Sequence, residues 1–204
     1  MIHMPRIDAV KFVILLLALV LLVPTISAQA SAQGKKVLLI LAKEDFEQSE
    51  YSNTRGALEA AGVACTIAST KTGMLKGNKG LRIESELELP QVRTADFDGV
   101  VVIGGNGIKK VWKNEDAHRI LREAQQQDKI IGAICAAPGM LAYAGVLEGK
   151  TATAHPKSGA NFPMKDHGCL YTNEKVVVDG NLVTANGPQA AQDFGQALVK
   201  LLDR

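Results

Sequence analysis

The residues best suited to chemistry lie in Gly132-Ala133-Ile134-Cys135-Ala136-Ala137-Pro138-Gly139-Met140. A strand-like apolar stretch, Lys129 to Ile134, runs straight into a cysteine. Small residues and a proline then lead into the helix-like Met140-Leu141-Ala142-Tyr143-Ala144. A cysteine at a tight strand-to-helix turn has its sulfur lifted out of the sheet, with helix N–H groups aimed at it. Such surroundings favour the thiolate, the nucleophilic form. The competing reading is a small buried hydrophobe at a crowded turn.

A base, an orienting acid and oxyanion donors complete a cysteine nucleophile. The apolar run Val100-Val101-Val102-Ile103 ends at Gly104-Gly105, where Gly105 can offer a backbone N–H. Ala136, just past the cysteine, can offer a second, and two such donors stabilise a negative oxygen. The alternative for the glycine pair is an ordinary tight turn. Glu47 and Glu50 open the predicted first helix, where a carboxylate can simply complement the helix dipole. Beside a thiolate in a dry cleft, desolvation and like charge raise a carboxyl's pKa, so that it keeps its proton and donates to sulfur. Of the four histidines, His155 is best placed as acid/base, at a strand end before Pro156. His118 falls on a predicted surface helix, His167 in a loop and His3 near the start of the chain. No Cys-x-x-Cys pair or His-rich cluster is present, so no metal is expected. Gly105-Asn106-Gly107 lacks the third glycine of a dinucleotide fingerprint, and no cofactor is expected.

The elements that must carry these groups alternate. Lys36–Ala42 is an unbroken apolar strand, covered on both faces. Glu47–Ala61 has helical composition and Gly62 can end it. Ala64–Ala68 is a second strand, Gly77–Glu86 a short extended excursion and Pro90–Ala95 a brief helix. Asp98–Ile103 is a buried strand, and Asn114 caps a helix over Glu115–Gln127. Thr151–Ala154 is a strand ending at His155-Pro156. Lys175–Thr184 reads as a hairpin about Asp179-Gly180-Asn181, and Pro188 opens a last helix through Leu202. The alternation implies a mainly parallel sheet with helices on both faces, whose ligands gather at the C-terminal strand ends.

The chain has 204 residues, 47% hydrophobic, which suits one domain, expected over 34–204. Before it, Arg6 and Lys11 precede an apolar run from Phe12 to Val23, followed by Ala28-Gln29-Ala30-Ser31-Ala32. Basic start, apolar centre and Ala-x-Ala site describe a secretory signal peptide over residues 1–30, cleaved after Ala30 or Ala32. The run is shorter than the roughly 20 residues that span a bilayer, which disfavours an uncleaved anchor. The expected product is exported, periplasmic or secreted, and free of the membrane after cleavage. Without residues 1–30 the basic and acidic counts nearly balance, at 21 and 20. Aromatics are 4% overall and no basic block interleaves with them, so nucleic acid is not an expected partner. Three cysteines, Cys65, Cys135 and Cys169, leave at least one thiol free. Cys65 and Cys169 could pair, or stay reduced in the core.

Taken in order, several segments resemble the ThiJ/PfpI superfamily: Glu47 and Glu50 after the first strand, Val102-Ile103-Gly104-Gly105, Ala133-Ile134-Cys135-Ala136-Ala137-Pro138, Ala154-His155-Pro156 and Asp179–Thr184. The resemblance implies a flavodoxin-like three-layer α/β sandwich with a mainly parallel sheet and a nucleophile-elbow cysteine, usually homodimeric. It implies Cys135 as the reactive residue, Glu50 as the protonated carboxyl beside it, and His155 as the histidine near the cysteine. Protease-like members carry histidine directly after the elbow cysteine, and this chain has Ala136. That departure favours a glyoxalase- or deglycase-type enzyme in stress protection, acting on a small aldehyde or glycated substrate. A redox-sensing chaperone without turnover and a cysteine peptidase are the alternatives.

Overall fold

A computed structural model describes residues 32–204. The signal-peptide reading concerns residues 1–30, outside the described residues.

In chain order the described elements are β1 (Lys36–Ile40), β2 (Glu44–Phe46), α1 (Gln48–Ala60), β3 (Ala64–Ser69), β4 (Gly73–Gly77), β5 (Arg82–Ser85), β6 (Leu87–Glu88), β7 (Gly99–Val102), α2 (Asn106–Lys109), α3 (Glu115–Gln126), β8 (Ile130–Ile134), α4 (Pro138–Tyr143), β9 (Thr151–Thr153), α5 (Asn161–Asp166), β10 (Leu170–Thr172), β11 (Val176–Asp179), β12 (Leu182–Ala185) and α6 (Ala191–Leu202). The main sheet runs β11-β12-β8-β7-β1-β3-β6. Every neighbouring pair is parallel except β11 with β12, the hairpin about Gly180.

Burial on both faces explains the apolar strands. Val37 and Leu39 of β1 and Val101 of β7 pack toward Leu58 of α1 and Phe194 and Leu198 of α6. Leu38, Ile40, Val100 and Val102 point the other way, toward Ile120 and Leu121 of α3 and Met140 of α4. The result is the helix–sheet–helix sandwich that the alternation implies. Asn114 caps α3 by accepting from the Ala117 N–H at 2.9 Å.

The short elements are those without a readable period. The polar excursion begins at Gly73 rather than Gly77 and forms the β4–β5 hairpin, which joins β2 in a separate three-stranded sheet. In β4 only Leu75 supplies a buried large side chain, too little to register as alternation. The brief helix near Pro90 is two 3₁₀ turns, Leu89–Gln91 and Thr94–Asp96. All three cysteines are free. Cys65 packs with the α1/α6 face and Cys169 with the α3/α4 face, so the sheet itself stands between them.

The first helix, which carries Glu50, is seated by a close approach to α6. A Cβ on Gly195 would come within 2.6 Å of Ala57 Cβ. Gly195→Val is expected to push the two helices apart and lower stability by about 1–3 kcal/mol through overpacking. Urea denaturation followed by circular dichroism measures this, and an unchanged midpoint contradicts it.

Candidate active site

The elbow begins where β8 runs out. Cys135 has φ of +64°, in the left-handed region that a non-glycine side chain seldom occupies. Such a conformation costs on the order of 1–3 kcal/mol and persists only when its surroundings impose it. Here they do. The Cys135 N–H donates to the Ala185 carbonyl at 2.8 Å, and the Cys135 carbonyl accepts from the His155 N–H at 2.9 Å. Pro138 then enters α4 in its first turn, where a missing N–H costs nothing. The half-buried sulfur faces the backbone N–H groups of Gly105 and Ala136, both of which favour its anion.

Gly104 and Gly105 make a close approach rather than an ordinary turn. A Cβ on Gly104 would lie 2.5 Å from Glu50 Oε2 and 2.6 Å from Cys135 Cβ. One on Gly105, where φ is +110°, would meet the Asp45 carbonyl and the Glu47 nitrogen. The loop before α1 therefore lies directly on the glycine pair. The Glu47 N–H donates to the Gly104 carbonyl at 3.0 Å, and Phe46 bridges to Gly105.

The two glutamates have divided roles. Glu47 is the N-cap of α1: its Oε2 accepts from the Glu50 N–H at 2.7 Å and the Ser49 hydroxyl at 2.6 Å. Its Oε1 faces Asn78 Nδ2 at 3.4 Å and Lys79 Nζ at 3.7 Å, both on the β4–β5 connection. Burial pushes the Glu47 carboxyl upward, but Ser49, the Glu50 N–H, Asn78 and Lys79 together hold it below its ordinary value. It is a charged cap.

Glu50 has no exposed surface at all. Its Oε2 accepts from the Gly104 N–H at 3.1 Å, and its other polar neighbour is the Cys135 thiol. Oε1 is buried without a hydrogen bond of good geometry. A carboxylate so poorly solvated prefers to be neutral. Burial pushes Glu50 up to about 8; the Glu47 charge adds to this, and the Cys135 and Gly104 contacts oppose it.

The thiol differs from the acidified cysteine that the elbow pattern suggests. Burial and the neighbouring Glu50 push the Cys135 thiol up, and the Gly105 and Ala136 N–H groups only partly offset them. The Glu50 contribution depends on that carboxyl's state. Ionised, it repels a thiolate; neutral, it becomes a donor to one. Glu50 and Cys135 thus act as a coupled pair in which the carboxyl's proton decides the sulfur's charge.

His155 is tied to the elbow by its backbone. Its ring Nδ1 accepts from the Lys157 N–H at 3.2 Å, which leaves the proton of the neutral ring on Nε2. A Cβ on Gly187 would lie 2.9 Å from His155 Cδ2, so the ring rests against that glycine. Cys135, Glu50, Gly104, Gly105 and Ala136 therefore converge on one point; Glu47 stands behind Glu50, and His155 joins through the main chain. His118 is buried inside α3 rather than on a surface helix, with Nε2 2.7 Å from the Trp112 carbonyl. Trp112 belongs to no motif, yet its Nε1–H donates to the Ala136 carbonyl at 2.9 Å. Only its being the chain's sole tryptophan marks it in the sequence. Among the described residues no group of three or more metal-ligating side chains occurs.

The raised Glu50 value has a sign that can be measured. Folded Glu50 keeps its proton up to about 8, whereas the unfolded chain releases it near 4.5. Its contribution to stability is therefore complete below the unfolded value and is lost as pH rises through the folded one. Glu50→Gln is expected to remove a loss that approaches about 1.4 kcal/mol per pH unit between these limits. Urea midpoints across that range measure it; parallel profiles for both proteins would contradict a neutral Glu50.

Comparison with known proteins gives the family. The DJ-1/PfpI family profile matches residues 35–201. A deglycase of Pyrococcus horikoshii is 34% identical over 167 residues, covering 82% of this chain and 99% of its own length. Glutathione-independent glyoxalase DJR-1.2 of Caenorhabditis elegans is 29% identical over 172 residues, covering 84% of this chain and 91% of its own. The crystal structure of a ThiJ/PfpI domain protein from Brachyspira murdochii aligns with a TM-score of 0.80 at 29% identity, over 83% of this chain and 98% of that one. The elbow, the glycine pair and the capped first helix all fall inside the matched span, and the chain belongs to the DJ-1/PfpI family.

Proposed function

We propose that the protein is a cysteine-dependent enzyme acting on small reactive carbonyls such as methylglyoxal, or on their adducts with amines and thiols, in protection against carbonyl stress. The observation that carries this is the sulfur of Cys135, held between two backbone N–H groups and a buried, proton-bearing Glu50. The names of the Pyrococcus deglycase and the nematode glyoxalase support the substrate class.

The first step is addition of the thiol across the aldehyde C=O. Sulfur supplies the electron pair for a new C–S bond, the carbonyl oxygen takes the charge, and the thiol proton is replaced by one on that oxygen, giving a neutral hemithioacetal. Neutral Glu50 donates to the sulfur as it becomes anionic. The Gly105 and Ala136 N–H groups hold the charged oxygen, and the proton that the thiol releases to solvent is returned to that oxygen by way of the His155 ring, whose Nδ1 gives up the Lys157 N–H to receive it while Nε2 donates. No step calls for a cofactor. Ala136 at the place of a dyad histidine supports carbonyl chemistry over peptide cleavage. A second reading, redox sensing without turnover, draws on the same arrangement: the two N–H groups and the carboxyl proton would equally hold the oxygens of a sulfinate.

Cys135→Ser is expected to lower methylglyoxal consumption by at least about a hundredfold, as loss of a nucleophile does. Undiminished turnover would sink the enzymatic reading. If wild type itself shows no turnover, yet gains two oxygens at Cys135 under low peroxide by intact mass, the sensor reading stands in its place.

Export with removal of residues 1–30, and assembly as a homodimer, complete the proposal. Ala32 supports cleavage after Ala30 over Ala32: it is 1% exposed, and its carbonyl accepts from the Lys35 N–H at 3.1 Å. N-terminal sequencing of the exported product is expected to begin at Ser31, and light scattering to give twice the chain mass. A first residue of Met1, or a monomer mass, overturns the corresponding part.

A further inference from the structure

The elbow is held from a third direction that the chemistry above leaves unexplained. Ala136 contributes one of the two N–H groups at the sulfur, so its orientation matters more than its side chain. The peptide plane on its N-terminal side is fixed where the Cys135 carbonyl accepts from His155. The plane on its C-terminal side ends in the Ala136 carbonyl, which receives two donors. One is the Gly139 N–H at 3.3 Å, an ordinary first-turn bond. The other, shorter at 2.9 Å, is the indole Nε1–H of Trp112.

Trp112 is itself built into place. Its indole lies so close over α4 that a Cβ on Gly139 would come within 2.5 Å of the ring. Its own carbonyl accepts from His118 Nε2 at 2.7 Å, and His118 is 4% exposed. The His118 Nδ1 faces Glu115 at 3.8 Å, and Tyr143 flanks the indole with ring centroids 6.3 Å apart. A run of contacts thus leads from the first turn of α3 through His118 and the indole to the Ala136 carbonyl, one peptide on from the N–H at the sulfur.

We infer that Trp112 is a positioning residue of the active site: its indole N–H fixes the peptide that follows Ala136, and together with the His155 bond to the peptide before it this holds the Ala136 backbone, and so the second donor to the Cys135 sulfur and to the oxygen formed on attack. The inference rests on Cys135 being the nucleophile. A donor held a few tenths of an ångström out of line loses much of its effect, because hydrogen bonds weaken steeply with misalignment.

The test reads the sulfur directly. Iodoacetamide labelling of Cys135, followed by peptide mass mapping across pH, is compared between wild type and Trp112→Phe, which keeps an aromatic body but removes the N–H. The expected result is about tenfold slower labelling at neutral pH and an upward shift of the labelling midpoint, in a variant whose circular dichroism matches wild type. With methylglyoxal, kcat is expected to fall while KM stays within about twofold, as for an interaction made only in the transition state. His118→Leu, which leaves the indole but frees the Trp112 carbonyl, is expected to shift the midpoint the same way by a smaller amount, and serves if Trp112→Phe does not fold. An unchanged midpoint in the folded variants overturns the positioning role. If Cys135→Ser consumes methylglyoxal as fast as wild type, the nucleophile reading falls instead.

Discussion

A carboxyl sealed from water beside a thiol is the constraint around which the rest of the structure is arranged. Glu50 can be buried completely only if the chain supplies what water no longer does, and it supplies little: one N–H from Gly104 and the thiol itself. The consequence is a retained proton rather than a salt bridge. Everything that brings Glu50 to this position must also tolerate it. The loop before α1 has to lie flat on the Gly104-Gly105 corner, which excludes a side chain at either glycine. Glu47 must cap the helix and stay charged, although that charge is one of the influences keeping its neighbour neutral.

Two opposing influences meet at the sulfur. Burial and Glu50 hold the thiol protonated, whereas the elbow's backbone N–H groups draw it toward the anion. A site in that balance is not a permanently exposed thiolate. The sulfur's charge is coupled to where the Glu50 proton sits. The left-handed Cys135 is the geometric counterpart: an unfavourable backbone conformation, imposed by Ala185 and His155, that keeps the sulfur at the meeting point.

Much of this architecture is legible in the sequence because its strands are long apolar runs and its punctuation is strong. Lys36–Ile40, Gly99–Val102 and Ile130–Ile134 cannot be anything but buried strands once helices alternate with them. Asn114, Gly62 and Asp179-Gly180 mark boundaries by their turn and cap chemistry. The candidate cluster reads partly from order along the chain, since Glu50, Gly105, Cys135 and His155 each follow a strand. Sequence does not disclose how the pieces press together. Whether Gly104-Gly105 is a loose turn or a contact surface depends on Phe46 and Glu47, far away in the chain. Whether His118 is a surface or a core residue depends on Trp112 accepting its ring proton. The direction of the thiol's shift is likewise a property of burial, which a local elbow motif does not encode. Short pieces such as β2, β6 and β10 exist only because a neighbouring strand edge offers them hydrogen bonds.

The placement of the remaining cysteines has a chemical corollary. Cys65 is in register with Val37, which is level with Gly99 and Ile130, at the end of the sheet where these strands begin. Cys135 lies five residues beyond Ile130 along β8, a separation on the order of 16 Å before the distance across the strands is counted. Cys169 precedes Leu170, the partner of Thr151, whereas His155 is the residue that meets the elbow, so this thiol too sits at the remote end. Bridging two cysteines needs their Cα atoms within about 7 Å. A sulfenic acid formed at the elbow consequently has no resolving partner within the folded chain. Its fate is either capture by a diffusible thiol from outside or progression up the oxidation ladder to a state that thiols do not reverse.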